Sequence, residues 1–155
     1  MPNNDDALAL GKNVKLLILD VDGVLTDGGL YYDGQGGVTK RFHAQDGLGI
    51  KLAQACGLGV AVITGLNQGA VEARIHDLGI DEYHAGFKDK APVMDSIRSR
   101  LGLERSQIAF LGDDWVDAGV MRAVGLPMVI LEGSPAEIVQ DSKARKLYLG
   151  ESFSL

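Results

Sequence analysis

Two aspartates, Asp20 and Asp22, close an apolar run and are followed at once by Gly23, a residue that lets the chain turn sharply. Downstream lie Thr64-Gly65, then Lys90, then Gly112-Asp113-Asp114 with Asp117. A carboxylate can attack phosphorus, exchange a proton or hold a hard cation, while hydroxyl, amide and ammonium donors can carry the negative charge of a transferring group. Taken singly, these motifs read equally well as helix caps, a solvated lysine or surface acids. Each, however, falls at the end of an expected strand or the start of an expected helix. That placement points to one shared rim, because open parallel sheets bind ligands beyond the carboxyl ends of their strands.

The elements that must position these residues follow from hydrophobic pattern. Val14 to Leu19 is a nearly continuous apolar run, the pattern of a strand covered on both faces, and Val60–Ile63, Ile108–Leu111 and Met128–Leu131 repeat it. Between them, Leu48, Leu52 and Ala55, then Val71, Ile75 and Leu78, then Val93, Ile97 and Leu101 recur at three- or four-residue spacing, predicting helices with those residues on their apolar faces. Asn67 is placed to cap the second helix and Gly79 to end it, and Ser134-Pro135 reads as another helix start. One segment breaks the alternation. Residues 28–41 carry strand-like Leu30-Tyr31-Tyr32 and Val38-Thr39 around a glycine-rich turn, which predicts a β-hairpin. The expected fold is α/β, a three-layer Rossmann-like parallel sheet with helices on both faces and a hairpin insertion.

The 155 residues are 46% hydrophobic, enough for one core, and divide into a polar segment over 1–13 and a single domain over 14–155. A net charge of -6 with no basic run argues against nucleic acid or an anionic membrane as partner and favours small molecules. The start is polar and acidic and no apolar run approaches a membrane span, so a soluble cytoplasmic protein is expected. The single cysteine, Cys56, reads as a small buried residue near a helix end. His43, His76 and His84 form no metal constellation, and Trp115 suits packing as well as a site wall.

Asp20 to Thr26, Thr64, Lys90 and Gly112 to Asp117 together resemble the ordered motifs of the haloacid dehalogenase superfamily. The resemblance implies Asp20 as nucleophile and Asp22 as general acid and base. It further implies Mg²⁺ held by the Asp20 and Asp113 carboxylates and the Asp22 backbone carbonyl. Thr64, Gly65 and Lys90 would bind phosphate, Asp117 would orient Lys90, and Asp114 would support the metal shell. Lys88, two residues from Lys90, is the poorer match.

A narrower resemblance, carried by Leu19 to Gly28, the hairpin, Phe42, Asp46-Gly47-x-Gly49-Ile50, Ile63-Thr64-Gly65 and Gly112-Asp113-Asp114, is to the capless branch containing the 3-deoxy-D-manno-octulosonate 8-phosphate phosphatases. It implies hydrolysis of that sugar-acid phosphate or of another nonulosonate or small phosphorylated metabolite. It also implies a homotetramer built through the hairpins, with Asp46 and Gly47 near a shared substrate entrance. Leu66 and Gln45 stand where basic residues are usual, and residues 146–155 lack the usual glycine-rich tail. The alternatives are a phosphomutase, which would need a cap domain, and a noncatalytic metabolite-binding or oligomerisation module. A dinucleotide site is disfavoured because no Gly-x-Gly-x-x-Gly follows the first run.

Overall fold

The computed structural model describes residues 4–130 and residue 140. The elements are α1 (Asn4–Gly11), β1 (Leu16–Leu19), β2 (Tyr31–Tyr32), β3 (Val38–Thr39), α2 (Ala44–Ala55), β4 (Gly59–Thr64), α3 (Gly69–Leu78), β5 (Glu82–Ala85), α4 (Ala91–Leu101), β6 (Ile108–Gly112), α5 (Ala118–Met121) and β7 (Leu126–Val129). Among the described residues, five strands form a parallel sheet in the order β5-β4-β1-β6-β7. Leu16 of β1 pairs with Gly59 on one side and Ile108 on the other. The expected α/β architecture is therefore present, with the hairpin as a separate two-stranded sheet pairing Tyr31 with Thr39 and Tyr32 with Val38. The polar segment over 1–13 contains a helix, α1.

The apolar runs are continuous because both faces of the central strands are covered. Leu19, Val60 and Val62 pack with Ile50 of α2 and with Val71, Ile75 and Leu78 of α3. Leu16, Ile18, Ala61 and Ile63 face the other way, against Met94 and Ile97 of α4 and Val120 of α5. Side chains alternate between the two cores with the strand period of two.

Several local expectations are corrected. In α2 the buried residues are Gly47 and Ile50, while Leu48 and Leu52 are 61% and 58% exposed, so the apolar stripe chosen from periodicity is the outer one. In α4 the deepest residues are Met94 and Ile97, and Leu101 is exposed. Gln68, not Asn67, is the N-cap of α3, without a side-chain cap bond, whereas Gly79 does end that helix in the left-handed region. Cys56 caps α2 but is exposed. β5 is an additional strand, and β7 starts at Leu126 and includes Pro127, which a sheet edge tolerates. Ser134-Pro135 lies outside the described residues.

Candidate active site

Three central strands and one helix start deliver the polar groups. Asp20 directly follows β1, and its amide donates to the Leu111 carbonyl at 3.0 Å, so the last backbone unit before the loop is still held by β6. The chain then turns through Gly23, at φ 82°, where an added Cβ would overlap the Asp113 carboxylate. Positive φ and close approach both require glycine here. β4 ends in Thr64 and β6 in Gly112, and Lys90 is the N-cap of α4.

At the centre lies a buried ion triad. The Lys90 ammonium is 2.7 Å from Asp20 Oδ1 and 2.6 Å from Asp117 Oδ1, with side-chain exposures of 1%, 8% and 0% for the lysine and the two acids. It also lies 5.7 Å from the centre of the Phe110 ring. A desolvated ammonium is tolerable only with such partners. Asp117 Oδ2 accepts the Asp113 amide at 3.2 Å and the Asp114 amide at 3.5 Å, and any Cβ at Gly112 would collide with this carboxylate. One buried acid thus orients both the lysine and the loop that carries Asp113.

Burial pushes the Asp20 carboxyl above its ordinary value, against the pull of Lys90 beside it. Asp113 is pushed up to about 6 by desolvation and by the charges of Asp20, Asp117 and Asp114. Carboxylate oxygens of Asp20, Asp113 and Asp117 lie within 4.8 Å of one another. Crowded hard oxygens with uncompensated negative charge fit a hard divalent cation such as Mg²⁺ better than a soft metal. Both Asp117 oxygens have protein partners, Oδ1 in Lys90 and Oδ2 in the Asp113 and Asp114 amides, and Asp117 does not line the cavity as Asp20 and Asp113 do, so the latter two carboxylates are better placed to hold such a cation.

A cavity of about 440 Å³ brings Asp20, Asp22, Thr64, Gly65, Lys90, Asp113 and Asp114 together, with Leu66, Lys88 and Val116 in the same wall. Lys88 is exposed and Lys90 buried, opposite environments two residues apart. Asp46 and Gly47 are not on this cavity. Asp46 lines a neighbouring groove of about 280 Å³ with Thr26, Arg41 and Phe42. Gly47 is buried where a Cβ would strike Arg74 and come within 3.1 Å of Leu78, so its absence of side chain serves the packing of α2 on α3. Trp115 is 90% exposed and is not buried at its helix start.

One residue of the site was missed in the sequence. Lys40, just after β3, has a fully buried side chain whose ammonium pairs with Asp22 Oδ1. The available signal was alternation: Val38, Lys40 and Phe42 lie inward and Thr39, Arg41 and His43 outward along one extended segment.

A parallel sheet that presents paired aspartates, a hydroxyl, a buried lysine and a further acidic loop at the carboxyl ends of its strands defines a phosphoryl-transfer fold of the haloacid dehalogenase type. No protein-family model matches the chain. It is 37% identical over 134 residues to the 3-deoxy-D-manno-octulosonate 8-phosphate phosphatase KdsC of Escherichia coli, covering 86% of this chain and 71% of that protein. The crystal structure of the corresponding phosphatase from Yersinia pestis superposes with a TM-score of 0.81 at 35% identity, over 89% of this chain and 75% of that one. The Moraxella catarrhalis phosphatase, solved in complex with magnesium ion, phosphate ion and KDO, superposes with a TM-score of 0.82 at 32% identity, over 94% and 79%. The chain belongs to the 3-deoxy-D-manno-octulosonate 8-phosphate phosphatase family of the haloacid dehalogenase superfamily.

Proposed function

We propose that the chain is a magnesium-dependent phosphatase that hydrolyses 3-deoxy-D-manno-octulosonate 8-phosphate through an aspartyl-phosphate on Asp20. The observation that carries the reading is the dry Asp20–Lys90–Asp117 triad set beside Asp22 and Asp113 in one cavity. The names of the relatives and the ligands of the Moraxella structure support the substrate and the cation.

In the first half-reaction an Asp20 oxygen attacks phosphorus, the bond from phosphorus to the sugar oxygen breaks, and Asp22 gives its proton to that oxygen. In the second, water attacks the phosphorus, Asp22 takes its proton, and the bond to Asp20 breaks to release phosphate. Held by the Asp20 and Asp113 carboxylates and the Asp22 backbone carbonyl, with Asp114 in support, magnesium supplies charge neutralisation between the acids and the phosphate. Lys90 fixes Asp20 and offsets charge on the transferring group, and Asp117 fixes Lys90. The Thr64 hydroxyl oxygen accepts the Leu66 amide at 3.4 Å, which leaves its O–H to donate to the phosphoryl group beside the Gly65 amide. Lys88, exposed in the cavity wall, supplies a cation for the sugar-acid carboxylate where Leu66 offers none.

The reading extends to a cytoplasmic homotetramer joined through the hairpins. Tyr31 and Tyr32 are 54% and 67% exposed on a two-stranded sheet too small to be stable alone, and its edges need partners. Asp46, exposed at the start of α2, would then face a shared entrance, with Gly47 supporting it from within. No described helix is long and apolar enough to cross a membrane.

The test is phosphate release across phosphorylated sugar acids, with magnesium and with EDTA, for wild type and Asp20→Asn. Release that requires magnesium and disappears in a folded Asp20→Asn variant is expected. Turnover at the wild-type rate in that variant overturns the mechanism.

A further inference from the structure

We propose that Lys40 is a positioning residue for proton transfer: its buried ammonium holds Oδ1 of Asp22 and thereby aims Oδ2 at the oxygen of the leaving group. The inference rests on the phosphatase reading above and adds to it a residue from outside the motif-bearing strand ends.

The Lys40 side chain has no exposed surface, whereas Asp22 retains 30% of its own and lines the cavity. An ammonium taken wholly out of water needs a charged partner. Had the lysine served only to pack the hairpin root, an apolar side chain would fill the space without that requirement. The pair is anchored on both sides. Asp22 is three residues from the end of β1, within the loop whose Val24, Leu25 and Thr26 amides all donate to the Val21 carbonyl. Lys40 follows β3, and the neighbouring segment is tied back to the same loop by the bridge between Thr26 and Phe42. Asp22 therefore has a fixed backbone and, through Lys40, one fixed carboxylate oxygen. Such a carboxyl has one productive oxygen, and the rotamer search that would otherwise precede each proton transfer is removed.

The proton balance is that of the two half-reactions already given. Asp22 Oδ2 releases a proton to the sugar oxygen as that oxygen leaves phosphorus, and later accepts one from water. Lys40 keeps its own protons throughout.

A leaving group that departs without a proton should not notice the loss of Lys40 in the first half-reaction. The experiment uses magnesium-loaded full-length protein, with wild type, Lys40→Met, Asp22→Asn and the double variant, and single-turnover release of 4-nitrophenol from 4-nitrophenyl phosphate against release of a sugar from its alkyl phosphate. Lys40→Met should slow alkyl ester cleavage by about a hundredfold, at the lower end of what general acid catalysis contributes. It should slow nitrophenyl cleavage by less than about threefold and leave KM within about twofold, which places the loss in the chemical step. In the Asp22→Asn background, Lys40→Met should have no further effect, because it acts through Asp22. Lys40→Gln, which keeps a donor at similar reach, should recover part of the alkyl ester rate, and it replaces the methionine variant if that variant does not melt cooperatively. Equal losses on both esters, or a loss that multiplies with that of Asp22→Asn, overturns the role of Lys40 and leaves the phosphatase reading standing. Absence of magnesium-dependent cleavage of either ester by wild type overturns both.

Discussion

Replacing Asp113 by asparagine should make the metal-free protein more stable at neutral pH while removing its response to magnesium. In the folded chain this carboxyl sits at about 6 instead of 3.8, through desolvation first and then the charges of Asp20, Asp117 and Asp114. Between those values the folded state keeps a proton that the unfolded chain releases. Stability of the metal-free protein therefore falls as pH rises through that window, and the penalty is complete above about pH 6. At face value the displacement corresponds to roughly 3 kcal/mol. Solvent reaches the exposed Asp113, and screening reduces this to about 1 kcal/mol, or roughly 2–4 °C in Tm for a chain of this size. Melts in EDTA near pH 7.5 should place Asp113→Asn above wild type by that amount, and the gap should shrink to about a third near pH 4.5. Magnesium at about a hundredfold over its Kd should stabilise wild type by about 2.7 kcal/mol and the variant far less. A variant that melts below wild type in EDTA near pH 7.5, or a gap that does not shrink with acid, refutes the crowding of carboxylates. A full magnesium response in the variant refutes Asp113 as a ligand.

Lys90→Met should cost roughly 3–5 kcal/mol in denaturant unfolding, because it strands Asp20 and Asp117 in the interior, and should abolish turnover. Lys88→Ala should leave stability within about 0.5 kcal/mol and raise KM for the sugar-acid ester more than it lowers kcat; the reverse ranking of the two lysines in kcat would contradict their assignment. Gly23→Ala should displace the Asp113 carboxylate and weaken the magnesium-induced rise in Tm, so an unchanged rise at equal magnesium would count against the contact. Replacing Tyr31 through Val38 by a short flexible turn should reduce both assembly and sugar-phosphate turnover; a fully active, folded monomer by light scattering would separate hairpin from activity.

The central sheet was legible because β1, β4 and β6 are buried on both faces and so show as unbroken apolar runs in the chain. The edge strand β5 was not, and β7 was found only from Met128 onward. Glu82-Tyr83-His84-Ala85 is half-buried throughout, and its Glu82 pairs with Arg100 and His84, a polar pattern that no strand rule picks out. Periodicity failed in α2 for a different reason: the helix has two apolar stripes, and only the space left by Gly47 beneath Arg74 shows which one turns inward. In the candidate site, Asp20, Thr64, Lys90 and Asp113 could be located from element ends. The partnership of Lys40 with Asp22 is tertiary, made across a hairpin, and the alternation that buries Lys40 says nothing about which acid it meets.

The strand order also governs how this chain comes into being. β1 is made before both of its neighbours and yet occupies the middle of the sheet, with Val62 supplied to Leu19 by β4 and Leu111 supplied much later by β6. On a ribosome, the flank of β1 that belongs to β6 stays open until Ile108 has been synthesised, exposing backbone donors and acceptors alongside Leu16, Ile18 and Leu19. Parallel pairing of this kind is slow because distant segments must meet before any of it is rewarded. A translation product stopped before Ile108 lacks more than its acidic loop. It carries an uncovered central strand, which makes it a client for chaperones and a seed for aggregation instead of a smaller, partly working enzyme.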